Sequence, residues 1–209
     1  MRTDGGTTSA PLLGEPLPVE LMNTVTGDRG RTHDTLDGDA AATGWLRAVA
    51  HRLGAESEIT ADQLNEDTVR PVAGALRALR DALRHLAADA TQDPRPSATA
   101  PELTRGEAIG TLNALAHAWP ELVWPADGRP SRAYRGSGTV ADLAVQLIAH
   151  QAVGLFTGAD RDRLRPCLAQ NCLLFFVKNH ARREWCSAAC GNRVRVARHY
   201  RRHHSAPSH

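Results

Sequence analysis

The sequence predicts a mainly α-helical protein in two unequal parts: a helical N-terminal domain with a small β-hairpin, and a small C-terminal module that ends in a helix. Apolar residues recur every three to five positions through much of the first 160 residues, the spacing of amphipathic helices. All four cysteines, in contrast, fall within 24 residues near the C-terminus. A chain of 209 residues is long enough for one good-sized core and a small appendage.

Composition divides the chain into four segments. Three prolines and three glycines among the first eighteen residues disfavour regular structure, so we expect a flexible arm over residues 1–18. The helical domain is expected over 19–160, the cysteine module over 161–204 and a disordered tail over 205–209. The sequence shows no run typical of a signal peptide or a membrane span. We therefore expect a cytoplasmic protein with no membrane partner.

The first two predicted helices lie before residue 91. Residues 40–53 have an apolar face and are followed by Gly54, a residue typical of helix ends. Residues 59–90 repeat apolar side chains at helical spacing and form the longest predicted helix. We expect an interruption near Pro71, because proline lacks a backbone donor.

Two further helices follow a proline-rich segment. Thr104 and Glu107 have the spacing of a capping box, which predicts a helix that begins there and ends near Pro120. Residues 140–156 repeat apolar side chains at helical spacing, and Gly158 follows them.

A short β-hairpin is predicted between these two helices. Leu122-Val123-Trp124 and Arg132-Ala133-Tyr134, two short stretches that are mostly apolar or aromatic, flank the turn signal Asp127-Gly128. The segment 91–102 has prolines and no apolar period, so we expect a surface loop there that holds no site.

The four cysteines have the spacing of a metal site. They form a Cys-x4-Cys pair and a Cys-x3-Cys pair separated by thirteen residues, a layout that suits tetrahedral coordination by thiolates. We expect one structural zinc ion, because four thiolates leave no open position for a catalytic water. The predicted ligands are Cys167, Cys172, Cys186 and Cys190.

Other roles for the cysteines and nearby histidines stay open. Two disulfides, buried free thiols or a redox pair are the alternatives to zinc, although a reducing compartment disfavours disulfides. His180 lies between the two pairs and is an alternative ligand, while His199 and His203 have the spacing for a second metal. With zinc, the C-terminal part is a small zinc-stabilised module that ends in a helix.

The residues around the cysteines carry a family resemblance. The stretch CLAQNCLLFF begins at Cys167, RREWCS covers 182–187, and CGNR covers 190–193. This module resembles the CGNR zinc finger. The preceding region resembles the ABATE domain through LMNT at 21–24, AI and LN between residues 108 and 113, and RLR at 163–165. The chain departs from the pattern after Phe175, where it reads FVKNH instead of carrying an aspartate and a serine.

The resemblance implies a role, since the family is described as stress-induced transcription regulators. Charge agrees with it: residues 1–160 hold 14 arginines and 21 acidic residues, a net −7, whereas residues 161–209 hold 11 cationic and 2 acidic residues, a net +9. We expect the basic C-terminal module to bind double-stranded DNA. An acidic protein partner or simple solvation is the alternative reading of the charge.

The expected DNA contacts lie on the last helix and on the loop between the cysteine pairs. At 100° per residue, a helix over 188–203 places Arg195, Arg198, His199 and Arg202 on one face, with Asn192 at its edge, and Val194 and Ala197 on the other. Arg193 lies on the cysteine side, where we expect a structural role. The candidate DNA contacts are Lys178, Arg182, Arg183, Asn192, Arg195, Arg198, His199 and Arg202.

The N-terminal domain is expected to act as a sensor or oligomerisation domain. A polar cluster follows its first apolar run and either lines a ligand pocket or caps loops and helices. A small-molecule effector and a homodimer stay open as partners. The candidate pocket residues are Asn23, Thr24, Arg31 and His33.

These observations favour a zinc-containing, DNA-binding transcription regulator. The alternative is a zinc-stabilised protein-interaction module that recruits transcription machinery. No nucleotide-binding, hydrolase or metalloprotease motif is present, so we do not expect an enzyme. A weaker alternative is an enzyme that uses His33 and Asp34 of the N-terminal domain.

Overall fold

The computed structural model describes residues 11–28, 30–55, 57–95 and 103–204. Within these residues the chain forms six α-helices and three two-stranded antiparallel hairpins. The mainly α fold that ends in a helix is confirmed. The helices are α1 (Leu17–Met22), α2 (Asp39–Leu53), α3 (Glu66–Thr91), α4 (Arg105–Leu115), α5 (Val140–Thr157) and α6 (Ala188–His204). The strands are β1 (Val25–Asp28), β2 (Arg31–Asp34), β3 (Trp119–Val123), β4 (Ser131–Arg135), β5 (Leu164–Pro166) and β6 (Phe175–Val177).

Helix α1 lies partly inside the segment predicted to be a flexible arm. Leu17 and Pro18 begin the helix, and all six of its residues are buried. Pro18 is tolerated because the first turn of a helix does not use the missing N–H. Glu15, just before the helix, is buried as well. The arm prediction is therefore wrong at these positions, while residues 1–10 and 205–209 lie outside the described residues.

The predicted helix over 59–90 consists of two elements. Ala61–Gln63 form a short 3-10 turn, and α3 begins after Asn65, whose side chain accepts a hydrogen bond of 3.0 Å from the Thr68 N–H. The interruption therefore lies just before α3 and not near Pro71, which is inside that helix. Asn65, as the N-cap, determines where α3 begins. Pro71 does not interrupt the helix, and its effect is limited to the loss of one backbone donor.

The predicted hairpin is confirmed, and it begins earlier than expected. Trp119 is already paired with Arg135 as the first residue of β3, so α4 ends at Leu115 and not near Pro120. The hairpins β1–β2 and β5–β6 were not predicted. Their strands have three or four residues, which is too short for an alternating pattern to be recognised.

The main core lies where α1, α2, α3 and α5 pack together. Helix α5 is long and apolar enough to cross a bilayer, but α1, α3 and α4 pack against it. Its Leu147 and Ile148 are completely buried. These contacts are those of a core helix, and they explain why α5 is apolar on more than one face.

The C-terminal module shares part of this core. Leu164, Phe175 and Val177 of the β5–β6 hairpin belong to the same buried cluster as the helices of the N-terminal domain. Phe176 points the other way and packs with the four cysteines in a second cluster. Alternate residues of β6 therefore serve two cores, which fixes the module against the N-terminal domain.

Candidate metal centre and basic helix

The four cysteine sulfurs form a compact, buried group. All four Sγ atoms lie within 4.8 Å of one another; Cys172 and Cys186 are 3.8 Å apart, and Cys186 and Cys190 are 3.5 Å apart. A tetrahedral zinc ion with bonds of about 2.3 Å places its sulfur ligands about 3.8 Å from one another. Disulfide sulfurs lie about 2.05 Å apart, so these thiols are free and fit zinc.

Two local structures bring the sulfurs together. The first pair lies on a tight turn in which the Cys172 N–H donates to the Ala169 carbonyl at 2.9 Å, with Asn171 in the left-handed region at φ 60°. The second pair lies at the start of α6, where Ser187 Oγ accepts a hydrogen bond of 3.3 Å from the Cys190 N–H. Cys186 lies two residues before the helix and Cys190 lies in its first turn, and their sulfurs are on the same side.

Close packing of the thiols perturbs their ionisation. Hydrogen bonds from Cys172 and Cys186 lower the pKa of Cys167 to about 2, and the hydrogen bond to Cys167 raises the pKa of Cys172 to about 12. The pKa of Cys186 is raised for the same reason. A bound divalent cation supplies the charge that stabilises all the thiolates together.

The site is a closed, structural zinc site. Among the described residues, the four cysteines form the group of potential metal ligands, and each is buried. His180 is exposed and is not in that group, so it is not needed as a substitute ligand. The side chain of His203 lies outside the described residues, and the second metal site proposed for it stays untested.

Arg193 stabilises the zinc site from the helix, as predicted. Its guanidinium donates to the Sγ of Cys190 at 3.3 Å and to the carbonyl of Gln170 at 3.1 Å. Charged donors to metal-bound sulfur orient the ligand and offset its negative charge. Arg193 therefore links the two halves of the site.

Arg95 contacts the zinc-binding turn from the N-terminal domain. Its Nη1 donates to the carbonyls of Cys167, Cys172 and Leu174 at 3.2, 2.9 and 3.2 Å, and its Nη2 pairs with the buried Asp93 carboxylate at 2.6 Å. The prediction that residues 91–102 hold no site is therefore wrong at Arg95. No sequence spacing could reveal it, because the contact spans more than seventy positions.

Arg183 is a structural residue and not a free cation for DNA. It forms an ion pair with the buried Glu15 and donates to the carbonyls of Val177 and Cys186, each at 3.1 Å. Its guanidinium also lies 4.9 Å from the centre of the Phe176 ring. With 16% of its side chain exposed, it is unavailable to phosphates, which corrects the predicted contact set.

The predicted pocket residues do not act together in the structure. Asn23 is buried and holds β6, since its amide donates to the Phe175 carbonyl at 3.0 Å and accepts from the Phe175 N–H at 2.8 Å. Thr24 is also buried and donates to the Leu21 carbonyl. Arg31 and His33 lie exposed on β2. Asn23 thus contributes to domain packing, and a ligand role for the group stays a prediction.

The remaining candidate DNA contacts are on the surface. Asn192, Arg195 and Arg198 are exposed on α6, and Arg195 donates to the Asn192 side chain. His199 and Arg202 are exposed on the same helix, as is Arg201, which the sequence reasoning did not include. In the loop, Arg182 is exposed and Lys178 is half-buried.

Comparison with known families covers nearly the whole chain. The ABATE model, described as "Putative stress-induced transcription regulator", matches residues 15–159, and the CGNR zinc finger model matches residues 163–203. No curated protein matches the sequence. Neither family is described as an enzyme. The chain therefore belongs to the ABATE family, and its C-terminal domain is a CGNR zinc finger.

Proposed function

We propose that this protein is a transcription regulator that binds duplex DNA through the basic face of α6. The observation that carries the proposal is the contrast between the two sides of the helix. Cys190 and Arg193, in its first two turns, fix one side at the zinc site. The opposite side exposes a set of cations and one amide: Asn192, Arg195, Arg198, His199 and Arg202.

Charge and geometry both support contact with phosphates. The finger region carries a net +9 over residues 161–209, so binding would release counterions from the DNA. A helix of 17 residues is about 25 Å long, and a B-DNA major groove admits an α-helix. Arginine and asparagine side chains can also hydrogen-bond to guanine and adenine edges there. Arg182 and Lys178 extend the interface from the loop.

The zinc site and its braces would present this helix in one orientation. Arg95 and Asn23 connect the finger to the N-terminal domain through three carbonyls and through the backbone of Phe175. A helix held in its binding orientation loses less entropy when it binds. Zinc is therefore required for DNA binding without contacting DNA.

The salt dependence of binding tests this proposal. Fluorescence anisotropy measures the affinity of the full, zinc-loaded chain for sheared duplex DNA between about 50 and 200 mM salt. Replacing Arg195 and Arg198 together by alanine removes two phosphate contacts, which makes the negative slope of log K against log salt shallower by about 1.8. Zinc content stays at one per chain, because neither arginine contacts the site.

A matched control uses exposed arginines on the other domain. Arg47 and Arg70 are 46% and 60% exposed on α2 and α3, and their replacement by alanine should leave the slope unchanged. Equal binding by the Arg195→Ala, Arg198→Ala variant at every salt concentration would reject α6 as the interface. A strong chelator should abolish binding by the unmodified chain.

A protein-interaction module is the second candidate, and one observation favours it. Three large apolar side chains lie exposed around α6: Val196 at 69%, Tyr200 at 61% and Leu168 at 56%. Exposed apolar groups close together mark interaction surfaces. One zinc per chain without measurable affinity for DNA would favour this candidate, in which the finger recruits transcription machinery.

The other expected properties follow from the same role. We propose that the protein acts in the cytoplasm, where the thiols stay reduced, and that the ABATE domain acts as a sensor or oligomerisation domain. A change in DNA affinity when an effector is added would test the sensor role. Sedimentation of the zinc-loaded chain would test the oligomerisation role. An enzymatic role for His33 and Asp34 requires turnover that is lost when either is replaced.

A further inference from the structure

An open groove lies in the N-terminal domain where the end of α3 meets α4 and α5. Its volume is about 430 Å³, within the range of small-molecule sites. Its wall is formed by Leu86, Leu112, Val153 and Phe156, which pack on the main core. None of the residues predicted for a ligand pocket lines it.

The groove is incompletely covered by α4. Ile109 lines it and keeps 42% of its surface exposed, whereas Leu112, one turn further on, is almost completely buried. A large aliphatic side chain beside an apolar wall favours a hydrocarbon occupant, since each buried CH₂ contributes about 0.8 kcal/mol. The apolar wall therefore favours a ligand with a hydrocarbon chain.

The polar rim of the groove favours a negative head group. Two arginines and one carboxylate line it: Arg105, Arg161 and Asp89. Arg105 pairs with Asp89 at 3.2 Å. Arg161 has a weaker partner, the exposed Asp162 at 3.6 Å, and exposed ion pairs of this kind contribute little. Arg161 can therefore exchange Asp162 for the carboxylate of a ligand.

We propose that this groove binds an aliphatic carboxylate, with its hydrocarbon chain on Phe156 and Ile109 and its carboxylate at Arg161. The groove includes Gln92, the C-cap of α3, and three residues later comes Arg95, which contacts the zinc-binding turn. The site therefore gives the ABATE domain an effector position beside the brace of the finger. Its role as an effector site rests on the proposed function, but the binding itself does not.

Octanoate is the probe, and octylamine and octanol have the same tail with a positive or neutral head. Calorimetric titration of the full, zinc-loaded chain without DNA is expected to show one saturable site for octanoate. Affinity for octylamine is expected to be about tenfold lower or worse, because a charge-assisted hydrogen bond is lost. Because no DNA is present, failure here leaves the DNA-binding proposal standing.

Two variants locate the site. Arg161→Gln should weaken octanoate binding about tenfold and leave octanol binding unchanged. Ile109→Glu, at an exposed position, should abolish octanoate binding through charge repulsion. Arg47→Gln is the matched control, since Arg47 also faces an exposed carboxylate but does not line the groove. No saturable binding, equal binding of octylamine, or unchanged octanoate binding by Arg161→Gln would overturn the proposal.

Discussion

The Arg95 brace predicts that the zinc site depends on a residue of the other domain. In the variant Arg95→Met, the carbonyls of Cys167 and Cys172 lose their shared donor. The carboxylate of Asp93, which has no exposed surface, also loses its charged partner, while the backbone N–H of residue 95 still donates to it. Methionine retains much of the aliphatic volume of arginine, but it lacks the guanidinium that lies 4.9 Å from the centre of the Phe175 ring.

The expected loss of stability comes mainly from Asp93. Removing one partner of a buried ion pair costs about 3–5 kcal/mol, because a charge is left uncompensated. The bonds to the carbonyls share one nitrogen atom, so they contribute as one charge-assisted bond, about 1.5–3 kcal/mol. The two losses add, so we expect Arg95→Met to lower the free energy of unfolding by about 4.5–8 kcal/mol. Arg95→Met with Asp93→Asn retains only the loss at the carbonyls and should lower it by about 1.5–3 kcal/mol.

Urea unfolding of the zinc-loaded chain measures these losses, and transfer of zinc to a chelator measures the local effect. We expect faster zinc transfer from Arg95→Met. The control is Arg105→Met, because Arg105 pairs with the exposed Asp89 at the same end of α3 and should change stability by less than about 1 kcal/mol. If Arg95→Met matches the unmodified chain in both measurements, the brace has no energetic role. Equal losses in the single and double variants would show that Asp93 is not the cause.

Three further predictions concern zinc, domain packing and pH. Cys172→Ser should lower bound zinc toward zero and unfold the finger, as measured by metal analysis and circular dichroism; unchanged stoichiometry would contradict the four-cysteine site. Asn23→Leu leaves the buried N–H and C=O of Phe175 unpaired and should cost about 2–4 kcal/mol in urea unfolding, whereas no loss would mean that water replaces the amide. The side-chain hydrogen bond from Thr104 lowers the pKa of Glu107 below its ordinary value of 4.5. This contribution to stability is present above pH 4.5 and is lost as the pH falls through the lowered pKa, and Thr104→Val should return the pKa toward 4.5 in an NMR titration.

Local patterns were sufficient to predict most of the helices and the zinc ligands. Helices α2 and α5 begin and end within a residue of their predicted bounds, because apolar periodicity and a following glycine act over a few residues. The zinc ligands share one short window, so their spacing alone indicates a metal site. Arg193 could be assigned to the zinc site from helix geometry for the same reason.

The contacts between the domains could not be predicted from local sequence patterns, because they join residues that are far apart in the sequence. Nothing near Asn23 indicates that its amide pairs with a strand about 150 positions later. Arg183 lies in a basic stretch typical of a DNA-binding loop, and only the distant Glu15 reveals its buried ion pair. Burial of polar groups depends on the whole fold, so the sequence alone placed Asn23 in a candidate pocket and Arg183 among the DNA contacts.

The two faces of β6 limit how this finger can be exchanged between proteins. A chimera carrying only residues 163–203 would keep all four zinc ligands but would expose Leu164, Phe175 and Val177, which the N-terminal domain now covers. It would also lose Arg95 and Asn23. A host protein would therefore need a surface that is complementary to the β5–β6 hairpin. We expect this finger and its ABATE domain to be inherited together.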